Sequence, residues 1–200
     1  MSLSKQKRLE QKRAVILKEA KNVLIKHGKN ATMGNIANAL DMDKSSLYYY
    51  KGITEILNTI LDQEYYDFSV DIQKLRRDNR SHVQVLKELA RLILEFYYEN
   101  LEIVQIILSQ VFPLFLDPER KEDSTAINSY MESYRLANKV MMEEIKPALK
   151  NNEFKTDFSP EMILQTLRGA ISGVCAAWKS KKPPHDRIYD LVDRIFLMYN

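Results

Sequence analysis

A single cysteine in 200 residues, Cys175, rules out an intramolecular disulfide, and the three scattered histidines, His27, His82 and His185, do not join it at any metal-ligand spacing. Five glycines and six prolines are few for this length. The chain also lacks the alternating Val, Ile and Thr runs between Gly and Asn turns that a sheet requires, so an all-α chain is expected. Long apolar runs are absent too. The most apolar stretch, 103–116, is interrupted by Gln105, Ser109, Gln110 and Pro113 and is too short to cross a bilayer. At the start, where a signal peptide would be apolar, stand Lys5, Lys7, Arg8, Lys12 and Arg13. The expectation is a soluble, cytoplasmic protein with no membrane partner. There is no Gly-rich phosphate loop, no His/Cys/Asp cluster at ligand spacing and no nucleophile motif, which argues against an enzyme and against any cofactor or metal.

What is present is an ordinary globular balance, 45% hydrophobic and 28% charged, long enough for one core or two small ones. The net charge of +3 conceals an asymmetry. Residues 1–52 hold 11 Lys/Arg against 4 Asp/Glu, and residues 53–200 hold 19 against 23. A basic quarter at one end points to a nucleic-acid or anionic-membrane contact, or to a merely solvated basic helix.

Apolar periodicity places helices along the whole chain. Ile16, Leu17, Ala20, Val23 and Leu24 define one over 5–27, stopped by Gly28. Thr32 caps a short helix over 33–40, Asp41 and Met42 turn the chain, and Asp43 caps a second short helix over 44–50. Gly52 ends that one, and Thr54 caps a long helix over 55–77. Further helices follow 82–99, from a cap at Asn100 to about Pro113, from Asp117-Pro118-Glu119 to about 146, over 159–179, and from beyond Pro183 and Pro184 to about 199. The count is nine. The expected division is a helix-turn-helix over 1–53 and a second helical domain over 54–200.

The short helix at 44–50 carries the most informative chemistry. With Leu47 packed inward and each residue turning 100°, Ser45 and Tyr49 point directly outward. Ser46 and Tyr48 lie on the flanks, and Lys44 and Tyr50 lie near the packed side. Apart from its cap this face has no acidic side chain. Hydroxyls can bond base edges or phosphates, and a tyrosine ring can touch a thymine methyl in a major groove. Packing is an equally physical use for tyrosines, Tyr50 above all, but one packed face cannot hold all three.

The string IANALDMDKSSLYYYKGITEIL from Ile36 to Leu57, preceded by Thr32, resembles the tetracycline-repressor (TetR) family. Thr32, Ile36, Ala37, Leu47, Tyr48, Tyr50, Glu55 and Leu57 stand at matching positions in unbroken register. Asp41 stands where the family has a turn glycine and Asp43 where it has a Ser/Thr cap. Lys51 replaces a common phenylalanine and Thr54 a phosphate-contacting lysine, a charge that Lys44 or Lys51 can supply. The resemblance implies a three-helix DNA-binding head whose contacts are Thr32, Lys44, Ser45, Ser46, Tyr48, Tyr49, Tyr50 and Lys51, with a double-stranded DNA operator as partner. It also implies a homodimer through the last two helices. Gly169 and Gly173, four apart beside Ala170, Ala176 and Ala177, allow close helix approach, although packing within one chain uses the same residue types. Trp178, Leu191 and Ile195 would complete that interface.

The resemblance further implies a small-molecule effector pocket in the second domain. Phe96, Phe112, Met131, Tyr134 and Met141 would line it, or simply form core. Arg168 would meet an anionic ligand group, or else a carboxylate. The reading that results is a transcriptional regulator, a homodimeric repressor released by its ligand. The alternatives are a ligand-independent activator, and a helical protein-interaction module with a basic end.

Overall fold

The computed structural model describes residues 3–47, 50–75, 80–116, 125–178 and 183–199, and at 3–5, 29, 106–116 and 125–127 it describes the backbone alone. Regular structure among the described residues is all helical. The α-helices are α1 (Leu3–His27), α2 (Met33–Ala39), α3 (Ile53–Leu75), α4 (His82–Leu116), α5 (Thr125–Lys150), α6 (Pro160–Ala177) and α7 (Arg187–Phe196). Short 3-10 turns lie at Gly28–Asn30, Lys44–Leu47 and Leu197–Tyr199. No helix among the described residues is long and apolar enough to cross a membrane.

Among the described residues seven α-helices stand where nine were expected, and two local features contribute. The helices expected on either side of Asn100 are one helix, α4, bent where Asn100 leaves helical geometry (φ −117°, ψ 19°). Instead of capping a new start, Asn100 donates its side-chain N–H back to the Phe96 carbonyl at 3.1 Å, so the chain continues past the break. The second feature is at Lys44–Leu47, where a 3-10 turn replaces the first turn of the expected α-helix. Paired serines compete for backbone bonds and favour short, tight turns over a regular helix. Tyr48 and Tyr49 lie outside the described residues, as does the expected helix start at Asp117-Pro118-Glu119.

Caps set most other boundaries. Ser159 accepts from Met162 N–H with Pro160 opening α6, as its Ser-Pro-Glu sequence requires. The expected Thr54 cap is displaced: α3 starts at Ile53, because the Gly52 carbonyl already accepts from Ile56 N–H and Glu55 reaches back to Lys51 N–H at 2.6 Å. Two helices also outrun their expected ends. α4 passes Pro113 to reach Leu116 and α5 passes Pro147 to reach Lys150. Each proline lies in a last turn, where little helix remains to be disrupted.

The chain divides into two compact units, Met1–Glu64 with Glu102–Tyr130 and Tyr65–Leu101 with Met131–Asn200. In the first, α2 packs against both α1 and the Lys44–Leu47 turn. Its core includes Ile16, Ala20, Leu24, Ile36, Leu47, Ile56 and Leu61, all at most 2% exposed. Lys21 ties α1 to α3 through Glu64 at 2.6 Å. In the second unit one continuous core runs from Ile72 through Leu89, Val140, Ile145, Ile163 and Leu167 to Phe196 and Tyr199. Phe154, between α5 and α6, joins that core, stacked on Phe196 at 6.3 Å and tilted against Tyr199 at 5.3 Å.

Candidate functional site

The head's turn is built by backbone bonds that the sequence specifies at each end of α2. At its start Thr32 and Asn35 form a capping box. The Thr32 hydroxyl accepts from Asn35 N–H, and the Asn35 carbonyl oxygen accepts from Thr32 N–H at 2.9 Å. At its end Asp41 N–H donates to the Asn38 carbonyl and Met42 N–H to the Ala37 carbonyl at 2.9 Å, with Asp41 in the left-handed region (φ 51°). This is a Schellman stop, which explains why the family pattern has glycine at that place. Asp41 tolerates the geometry at a cost. Asp41→Gly is therefore expected to raise thermal stability by roughly 1 kcal/mol, and a melting point that falls or stays put would overturn this account of the turn.

The turn then presents Lys44, Ser45 and Ser46 before burying Leu47. Lys44 and Ser45 are exposed, Ser46 is half-buried and Leu47 is 1% exposed. The inward anchor and outward serine thus stand as read from the sequence, although a 3-10 turn brings Lys44 nearly over Leu47. Tyr50 is half-buried and its N–H donates to the Leu47 carbonyl at 3.0 Å. Burial pushes its phenol up, Arg13's charge pulls it back and Glu55's adds to the rise. Arg13 thus acts on Tyr50 from α1, a neighbourhood that spacing within the motif does not reveal. Lys51 is exposed, and Thr32 is exposed with its hydroxyl engaged in the cap. Tyr48 and Tyr49 are outside the described residues.

In the second unit, Phe96 is 9% exposed and sits in an aromatic cluster with Tyr65 and Phe68, its ring centroid 5.1 Å and 4.8 Å from theirs. Met141 is buried, and Met131 and Tyr134 are half-buried. Phe112's side chain is outside the described residues. The Arg168 guanidinium lies over the Tyr134 ring at 4.8 Å, a cation-π contact, and no carboxylate pairs with it among the described residues. Asn100, expected only as a helix cap, is 2% exposed, and its side-chain oxygen has no hydrogen-bond donor among the described residues.

The α6 face carrying Gly169 and Gly173 is exposed along Met162, Gln165, Gly169, Ser172, Gly173 and Ala176. Trp178 and Ile195 lie instead in the core of their own unit, Trp178 meeting Tyr98 edge-on at 5.6 Å, and Leu191 is half-buried.

No protein-family model matches the sequence. No curated protein matches it either. Solved structures do. A TetR/AcrR-family transcriptional regulator from Thermobifida fusca superimposes with a TM-score of 0.69 at 16% identity, covering 94% of this chain and 97% of that one. The ketosteroid transcriptional regulator KstR2 of Mycobacterium tuberculosis gives 0.71 at 13% identity over 94% and 92%. The transcriptional regulator FadR of Bacillus subtilis, solved in complex with stearoyl-CoA, gives 0.60 at 15% identity over 90% and 96%. The chain has the fold of the TetR/AcrR-family regulators along nearly its whole length.

Proposed function

We propose that this chain is a homodimeric DNA-binding transcriptional regulator, a repressor released from its operator by a small molecule. Residues 1–53 are its DNA-binding part and 54–200 its effector-binding and dimerisation part. The observation that carries the reading is the head. Lys44 and Ser45 are exposed on a turn anchored by buried Leu47, inside the TetR-like string and within the basic quarter of the chain. A gel shift tests it: salt-dependent binding to duplex DNA, tighter for one selected operator than for random sequence. Ser45→Ala is expected to cost about 1–3 kcal/mol at the operator and little elsewhere, whereas Lys44→Gln weakens every duplex alike and flattens the salt slope by about one. Equal losses on all duplexes for Ser45→Ala would remove it from base reading.

The effector is an apolar or amphipathic molecule bound in the second unit. Phe96, Met131, Tyr134 and Met141 supply an adaptable apolar and aromatic surface, and Arg168 a cation with no carboxylate partner among the described residues. Stearoyl-CoA, held by the Bacillus subtilis FadR, is a molecule of that kind, a long acyl chain with an anionic head. Coupling runs along α3, one helix from Ile53 beside the reading turn to Leu75. A coupling of about 1–3 kcal/mol shifts operator affinity roughly 5- to 150-fold. By reciprocity, saturating operator weakens effector binding by the same factor. Phe96→Trp or Met131→Trp is expected to blunt the response while operator affinity stays near normal. Identical effector affinity with and without operator would rule this mechanism out.

A further inference from the structure

α1 begins well before the core it serves. Among its described side chains the first buried one is Ile16, and Gln6 to Val15 are exposed except Leu9, which is half-buried. From Gln6 to Ile16 the helix runs about 15 Å before a side chain is buried. At 100° per residue, Ile16, Ala20, Val23 and Leu24 share one face. Extending that face backwards gives Leu9 at about 20° from Ile16, Lys12 and Arg13 within about 60°, and Arg8 at about 80°. The face that is apolar against the head is therefore cationic before it. Lys7 stands on the opposite side, and Glu10, at about 120° from Ile16, is off the face.

We propose that this basic face of α1 binds the DNA phosphate backbone outside the half-site that the Lys44–Leu47 turn reads, lengthening the contacted duplex. The proposal rests on the DNA-binding reading above. Three cations on one exposed helix face complement a regular row of phosphates, and long Lys and Arg side chains gain from such a row without needing a base sequence. The position also fits. α2 packs against both α1 and the reading turn, and the charge of Arg13 is felt at Tyr50. Phosphates repeat whatever the base sequence, so the contact adds affinity and salt dependence but not specificity.

The test uses the full chain and two duplexes, the operator recovered by selection from a random-sequence library and the same operator extended by about ten base pairs, one helical turn, on each side. The wild type binds the extended duplex more tightly and with the steeper salt slope. Arg8→Gln with Lys12→Gln removes that advantage and leaves the short duplex bound as before. The affinity lost on a fourfold rise in salt shrinks by about 3.5-fold for each phosphate contact removed. Lys7→Gln, an equal change of charge per residue on the other face, leaves the advantage in place. Equal wild-type binding to the two duplexes overturns the proposal, as does a double variant that weakens the short duplex just as much. Unchanged DNA binding by the double variant, with lost retention on phosphatidylserine vesicles, overturns it in favour of a lipid surface. Failure of the wild type to prefer any duplex defeats the DNA-binding reading itself, and so is distinguishable from failure of this proposal.

Discussion

Leu47→Ala is expected to unfold the head and abolish binding to every duplex, specific or not. Leu47 is 1% exposed beneath α2, and deleting a buried leucine costs about 2–5 kcal/mol, a large share of what a small unit holds in reserve. The effect exceeds that of any surface contact on the reading turn. Its locality is measurable because Trp178, the sole tryptophan, is 5% exposed in the core of the other unit. Helical circular dichroism should fall at temperatures where Trp178 emission is still native. If the two signals move together, the units unfold as one and the loss of DNA binding ceases to be a local effect. If the variant still binds DNA, the turn is not the reading element.

A carboxylate on the exposed face of α6 is expected to take the dimer apart while sparing the protomer. A Cβ added at Gly169 or Gly173 meets nothing within 4 Å, so Gly169→Glu and Gly173→Glu are accommodated within one chain. Leaving glycine also favours the helix by up to about 1 kcal/mol. Any loss must then come from a second copy. A carboxylate buried there without a partner costs about 3 kcal/mol or more, raising the dimer dissociation constant more than about 100-fold. Sedimentation equilibrium reads this directly, with Trp178 emission as the check that the protomer is intact. A variant that remains as dimeric as the wild type moves the interface off this face, and a wild type that is monomeric at micromolar concentration removes the homodimer altogether.

Periodicity and capping chemistry, both local, made most of the fold legible. The 100° spacing of Ile16, Ala20, Val23 and Leu24 and the stop at Gly28 (φ 55°) define the end of α1. Thr32 and Ser159 cap as their side chains dictate. Errors arose where a local signal had two uses. Asn100 is as good a cap as it is a mid-helix amide, and here its side-chain N–H bonds back to the Phe96 carbonyl while the helix runs on. Thr54 is a good cap by type, but the backward reach of Glu55 to Lys51 N–H moves the start of α3. The turn at Lys44–Leu47 is too short for periodicity to separate 3-10 from α geometry, yet burial of Leu47 and exposure of Ser45 follow in either.

Tertiary relations were harder to read. Trp178 and Ile195 look like interface residues by type, but the fold consumes them in its own core. A buried aromatic has the same sequence signature whichever surface covers it. Arg168 reads as a partner for an anionic ligand group or a carboxylate, and its placement over Tyr134 depends on a residue more than thirty positions away. The action of Arg13 on Tyr50 is equally invisible until α1 is packed.

Cys175, the only thiol, lies 6% exposed in the core of the second unit, and burial pushes it up to about 12. At neutral pH it is a protonated, shielded sulfur, and an alkylating reagent reaches it only when α6 lifts away from that core. The rate of modification is therefore a stopwatch for opening of the second unit's core. Any molecule that binds the closed form slows it in proportion to one plus the ratio of its concentration to its dissociation constant, by a factor of about 100 at a hundred times that constant. Candidate effectors can be ranked by that delay before a single operator sequence is known.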